Sequence, residues 1–140
     1  MYRRIRTAFL LLVILQGFHS IEEFHGRLWE VFPSARFVCR LVSSNPESGF
    51  LTLNIGLFIF GLFCWYIVTH HNKIKFYGLI IFWIVIETIN GIGHPVWTLM
   101  QKSYTPGIIT APFLLLLSVY LSWQLLRHTQ KPTPVDRNTE

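Results

Sequence analysis

Long apolar stretches constrain this chain more than any other feature of its sequence. The clearest covers residues 49–69 and contains no charged side chain. A helix rises about 1.5 Å per residue, so a stretch of this length crosses the roughly 30 Å hydrocarbon layer of a membrane. Two further stretches, residues 76–94 and 105–126, are nearly as apolar. The sequence therefore predicts an integral membrane protein with several spanning helices.

The chain opens with a fourth candidate span at residues 7–24. It follows a start rich in arginine and is apolar as far as Phe18. A basic start before a short apolar run is also typical of a signal peptide, so cleavage of this segment is the alternative. With the segment retained, we expect an all-α fold, an integral membrane four-helix bundle. It would form a single domain over residues 1–127, followed by a polar cytoplasmic tail at 128–140.

The segment between the first two spans, residues 26–48, carries apolar and basic side chains around Pro33. Their spacing is roughly helical, which is typical of a helix that lies in the headgroup layer. We therefore expect an amphipathic interfacial segment between helices 1 and 2. An ordinary loop is the alternative.

Composition and charge support the membrane assignment. Charged residues make up 14% of the chain, against about 25% in soluble domains. The net charge of +5 comes from scattered Lys and Arg, without the dense patch that a nucleic-acid surface needs.

The distribution of Lys and Arg among the loops predicts the orientation in the membrane. Eight of these residues lie in the N-terminus, the loop after the second span and the tail, and four lie in the two loops on the opposite side of the membrane. The positive-inside rule then predicts that both termini are cytoplasmic, and we expect the plasma membrane.

Carboxylates stand where a membrane protein should avoid them. The whole chain has seven Asp and Glu, and three of them, Glu22, Glu23 and Glu87, lie in or at the edge of apolar spans. A charged side chain at mid-membrane costs on the order of 2.5 to 3.5 kcal/mol even on the lenient insertion scale. The spans hold no Lys or Arg that could neutralise these groups. Protonation, imidazolium partners or a divalent cation must compensate the charge.

The polar residues of the spans share faces and depth. At about 100° per residue, one arc of the first helix carries Gln16, His19, Glu22 and Glu23, and one stripe of the third carries Glu87, Asn90 and His94. Helical rise places both sets in the outer half of the bilayer, with Asn54 and Thr110 at a similar level. We therefore expect a polar site inside the bundle.

A metal centre is the first interpretation of that site. H-x-x-E places an imidazole and a carboxylate one turn apart, as the E-x-x-H pairs of metal-binding helical bundles do. A zinc or iron ion would take nitrogen and oxygen ligands from two facing helices. One of Glu22 and Glu23 would be a ligand and the other the general base. We assign Glu23 as the ligand, so the predicted ligands are His19, Glu23, Glu87 and His94. Glu22 is the predicted general base, with Asn54 and Asn90 orienting a substrate carbonyl. A site in the outer half of the bilayer suits a metal-dependent enzyme that acts on a lipid or another amphiphile.

Two other functions fit the same residues. The three glutamates could form the relay of a small proton- or cation-coupled carrier, which would work as a homo-oligomer. Alternatively the polar network only fastens the helices together, and the protein is structural or accessory. The pattern leaves open whether the chain is an enzyme. In each case membrane lipids are its expected partners, and a lipid-like small molecule is the expected ligand of a binding site.

The string His19-Ser20-Ile21-Glu22-Glu23, followed by Glu87, Asn90 and His94, resembles the HXXEE-domain family of small multi-pass membrane proteins. The turn at residues 104–107 fits this resemblance as well. The resemblance covers most of the chain and implies a multi-pass membrane architecture with a short list of site residues. It implies no substrate, because the family has no established activity.

Overall fold

The computed structural model describes residues 2–70 and 77–129. Within these residues the chain forms six helices and no strand, which confirms the predicted all-α class. The helices are α1 (Tyr2–His25), α2 (Leu28–Val31), α3 (Pro33–Val42), α4 (Pro46–His70), α5 (Tyr77–Gln101) and α6 (Ala111–Thr129). The predicted cytoplasmic loop with its two lysines and most of the predicted tail lie outside the described residues.

The four long helices pack side by side. α1 contacts α4 and α6, and α5 also contacts both of these helices, so that α1 and α5 stand diagonally in a ring of four. Three of the four, α1, α4 and α5, are long and apolar enough to cross a membrane. α6 is shorter, with 19 residues that include Gln124 and Arg127 near its end. These findings support a membrane protein, and a fourth span at α6 stays a prediction.

The interior of the ring is built from large apolar side chains. Phe9 and Leu12 of α1 and Trp83 of α5 are fully buried. Gly61 of α4 lets this core close, because a Cβ there would lie 2.8 Å from Val13 and 2.9 Å from Trp83. The outward faces of the same helices are also apolar. A helix that is hydrophobic all round is typical of a membrane span.

Two helix ends differ most from the sequence expectation, and they are the end of α5 and the start of α6. α5 continues through Pro95 to Gln101 instead of ending at His94. Proline costs a helix one hydrogen bond, and membrane helices tolerate this where neighbouring groups satisfy the freed carbonyl. α6 begins at Ala111 rather than near residue 105, because Gly107 adopts a left-handed φ of 94° that a helix cannot contain. Residues 102–110, which we call the 102–110 loop, therefore lie between α5 and α6.

The segment between α1 and α4 is helical rather than an ordinary loop. Pro33 stands in the first turn of α3, where its missing N–H is no loss. Phe37 and Leu41 are exposed on one side of α3, while Cys39 is buried against α4. Gly49 permits this packing, since a Cβ there would collide with the Cys39 carbonyl. An amphipathic α3 is thus present, and its location in the headgroup layer stays a prediction.

Candidate metal centre

Three buried side chains meet at the end of α1 nearest the 102–110 loop. Nε2 of His19 lies 3.3 Å and Nε2 of His94 lies 3.2 Å from the same carboxylate oxygen, Oε1 of Glu23. One ligand atom from each residue lies within 4.8 Å of the other two. The relative exposures of His19, Glu23 and His94 are 0%, 7% and 8%. This group could hold a metal ion, and we call it the His-Glu-His centre.

Helical spacing and the packing of the bundle explain why these three side chains lie together. His19 and Glu23 are four residues apart and therefore share one face of α1. His94 comes from α5, the helix diagonally opposite, and its ring meets the His19 ring edge to face at a centroid distance of 4.7 Å. Both helices are held by α4 and α6. The centre is thus fixed by two helices of the core rather than by flexible loops.

The backbone of the 102–110 loop covers the two imidazoles. A Cβ on Gly107 would lie 2.7 Å from Cε1 of His19 and 2.7 Å from Cε1 of His94. At the base of the loop, Gly26 leaves room for Pro106, because a Cβ there would collide with the proline ring. Glycine at these two positions lets the loop close over the end of α1.

We expect Gly107→Ala to disturb the centre. A side chain in a left-handed conformation costs on the order of 1–3 kcal/mol, and here it also strikes both imidazoles. The melting temperature and the zinc affinity of the purified protein should both fall. Gly56→Ala is the matched control, since a Cβ at that helical glycine meets nothing within 4 Å. A Gly107→Ala protein with the stability and metal affinity of the wild type would contradict the close packing of loop and centre.

A chain of hydrogen bonds fixes the tautomer of the neutral His19 ring. The Thr110 hydroxyl donates to Oε2 of Glu22 at 2.6 Å and lies 2.7 Å from Nδ1 of His19. Because its proton is committed to the carboxylate, the hydroxyl must accept from Nδ1–H of His19. In the neutral ring the other nitrogen, Nε2, then carries a lone pair. That Nε2 atom is buried and has no hydrogen bond of acceptable geometry, although Oε1 of Glu23 lies 3.3 Å away.

The chemistry of this arrangement favours a cation between His19 and Glu23. A lone pair of His19 faces a carboxylate oxygen of Glu23, and two acceptors repel each other in a buried site. An added proton or a metal ion between them removes the repulsion. The hydrogen bond at the far nitrogen is the usual way in which a metal-ligating histidine is oriented.

Glu22 lies in the 102–110 loop's hydrogen-bond network and is not a member of the centre. Its carboxylate accepts the Tyr104 hydroxyl at 3.0 Å, the backbone N–H groups of Ile109 at 3.0 Å and Thr110 at 2.9 Å, and the Thr110 hydroxyl. Burial and the neighbouring carboxylate raise the pKa of Tyr104, so its hydroxyl stays a donor. The predicted general base is thus engaged by four donors.

Glu87, the fourth predicted ligand, is not part of the His-Glu-His centre. It is fully buried and accepts from Asn90 at 3.2 Å. With the Gln16 amide turned so that its nitrogen faces Glu87, that nitrogen lies 2.8 and 3.1 Å from the two carboxylate oxygens. Glu87, Asn90 and Gln16 therefore form a separate polar layer inside the bundle.

The two predicted orienting residues lie in different places. Asn90 lines a small cavity beside His94. Asn54 accepts from Ser20 at 2.7 Å and lines an apolar groove between α1 and α4, which contains none of the three residues of the centre. Their catalytic roles stay predictions. Sequence reasoning missed Gly107 and the contact of Thr110 with His19, for which the turn at residues 104–107 was the available signal.

Comparison with known proteins places the chain in a family without giving it a function. No curated protein and no solved structure matches it. A family model described as a protein of unknown function with HXXEE motif matches residues 10–121, most of the chain. The motif's His19 and Glu23 lie in the centre, and its Glu22 binds the loop that covers it. The chain belongs to the HXXEE family.

Proposed function

We propose that this protein is a zinc-dependent membrane hydrolase whose metal is held by His19, Glu23 and His94. The observation that carries the proposal is the buried, unpartnered Nε2 of His19, which faces the Glu23 carboxylate while Nδ1 is held by Thr110. With a neutral His19 ring, this nitrogen presents a lone pair beside the carboxylate oxygen, as two ligands of one metal ion would.

The donor set suits a catalytic rather than a structural metal. Two imidazole nitrogens and one carboxylate oxygen are the three protein ligands of several hydrolytic zinc sites, where the fourth position stays open. Two histidines and a carboxylate also bind non-haem iron, which needs several open positions. The backbone at Gly107 packs closely over both imidazoles, and we take zinc, which would need fewer open positions, as the metal. Zinc supplies Lewis acidity, which activates water and polarises a carbonyl.

The residues of this chain would perform the remaining tasks. Thr110 and Glu22 hold the tautomer and orientation of His19. Asn90, on the cavity wall next to His94, orients the substrate carbonyl. Hydrolysis adds a water oxygen to the carbonyl carbon and breaks the bond to the leaving group, which takes the proton that the water loses.

The expected setting is a plasma-membrane bundle of four spans with cytoplasmic termini and a lipid or amphiphilic substrate. The outward face of α6 supports the fourth span, because Phe113, Leu116 and Val119 are all more than half exposed. Such an apolar face favours lipid as its surroundings. A substrate that enters sideways from the bilayer could reach the cavity beside His94.

The test is hydrolysis of 4-nitrophenyl octanoate by the protein in lipid nanodiscs. Zinc-loaded protein should release nitrophenol, whereas metal-free protein and the Glu23→Gln variant should give only the background rate. Glu47→Gln is the control, since Glu47 is exposed and far from the centre in sequence. Zinc-loaded protein that is no faster than metal-free protein would contradict the hydrolase proposal.

A further inference from the structure

A cavity of about 100 Å³ lies beside His94, between α5 and the junction of α2 and α3. Its wall includes Phe32, Ile89, Asn90, Gly93, His94 and Trp97. A single water occupies about 30 Å³ in the liquid. The space is therefore of the size of one ester or amide group with its first carbon atoms, and it touches one residue of the His-Glu-His centre.

Trp97, one of the residues that line this cavity, carries a donor without an acceptor. Nε1 of Trp97 is buried and has no hydrogen-bond partner. A buried indole N–H normally finds one. The indole packs edge to face on Phe32 at a centroid distance of 4.9 Å, and this contact helps to hold its orientation. An oxygen atom of a bound molecule would satisfy this donor.

An oxygen atom bound to Trp97 would lie close to the His-Glu-His centre. Trp97 follows His94 by three residues, so the two side chains lie on one face of α5 about one turn apart. Gly93 keeps the space beside them open, since a Cβ there would meet no atom within 4 Å. The lining holds no Lys or Arg, which disfavours a carboxylate or phosphate ligand. Ile89 of the same wall is 64% exposed, so an apolar chain can leave the cavity along the outer face of α5.

We propose that this cavity receives the carbonyl group of an uncharged fatty-acyl ester or amide. The indole N–H of Trp97 donates to the carbonyl oxygen, and the acyl chain passes Ile89 towards the lipid. This inference rests on the proposed hydrolase and names the class of its substrate.

The probe is N-methyloctanamide, an uncharged amide. It is added to the protein in lipid nanodiscs, and the indole N–H signals of the nitrogen-15-labelled tryptophans are followed by NMR. The Trp97 signal is identified by its loss in Trp97→Phe. We expect the indole proton of Trp97 to move downfield as the amide binds, in the metal-free and the zinc-loaded protein alike. A Trp97 signal that does not respond at any amide concentration would overturn the proposal.

Two glycine variants test whether the amide binds in this cavity. Gly93→Leu fills the cavity and should weaken the response of Trp97 at least about tenfold. Gly56→Leu, on α4 and outside the cavity lining, should respond as the wild type does. An unchanged response in Gly93→Leu, or a stronger response to octanoate than to the amide, would overturn the proposal. Because the shift is read without metal, a protein that binds no zinc would end the hydrolase proposal and leave this measurement intact.

Discussion

Replacing Glu23 by glutamine is expected to abolish zinc binding while leaving the metal-free protein at least as stable. The carboxylate is the one anionic ligand of the centre and contacts both imidazoles at 3.2 to 3.3 Å. Loss of a hydrogen-bond partner outside the ligand shell already costs about 10–100-fold in metal affinity, so loss of the ligand itself should exceed this. Glutamine keeps the shape, and its amide can donate to the lone pair of His19, which removes the repulsion present without metal.

Thermal unfolding with and without zinc measures both effects. Zinc at about 100 times its dissociation constant stabilises a protein that binds it by about 2.7 kcal/mol. The melting temperature of the wild type and of Glu47→Gln should rise with zinc, and that of Glu23→Gln should not. A Glu23→Gln protein that responds to zinc as the wild type does would show that the metal, if bound, lies elsewhere.

The second large effect is expected at Thr110, a positioning residue that touches no metal. Thr110→Val keeps the shape but removes the hydroxyl that joins Glu22 to Nδ1 of His19. The imidazole then loses the acceptor that fixes its tautomer, and zinc affinity should fall about 10–100-fold. Competition with a zinc-binding dye measures this change.

Thr110→Ser is the matched variant, because it restores the hydroxyl without the methyl group. It should recover most of the affinity. A general loss of packing would damage valine and serine variants in the opposite order, since serine removes more volume. Equal zinc affinity in Thr110→Val and the wild type would contradict the role of the Glu22–Thr110–His19 chain.

The sequence was sufficient to place His19, Glu23 and His94 in one layer, because periodicity determines which side chains share a helical face. It was not sufficient to separate Glu22 from Glu23. Adjacent residues differ by about 100° around the helix, and both fell within the polar arc. The 102–110 loop makes the distinction, since its donors bind Glu22 and leave Glu23 to the imidazoles. A contact made by residues more than 80 positions away has no local signature.

Glu87 shows a different limit of prediction from the sequence. It shares a stripe of α5 with His94, but the helical rise over seven residues separates their Cα atoms by about 10 Å along the axis. Glu87 lies with Gln16 and Asn90 and outside the group of ligand atoms that lie within 4.8 Å of one another. Periodicity alone did not show which members of the stripe reach the same point.

The ends of the helices depended on tertiary structure. Pro95 suggested a helix end, yet α5 continues to Gln101. Thr105 and Pro106 resemble the start of a helix, yet Gly107 turns the backbone over the imidazoles before α6 begins. Local propensity could not anticipate either outcome, because each is decided by what the segment packs against.

The metal content of the wild-type protein tests the central claim most directly. The protein should be purified in detergent without chelators and analysed for zinc, iron and other divalent metals, with Glu23→Gln prepared in parallel. We expect a buried site with three protein ligands to hold its ion through purification, with about one zinc per chain in the wild type and almost none in the variant. Less than about 0.2 of any such metal per chain in the wild type would contradict the metal centre.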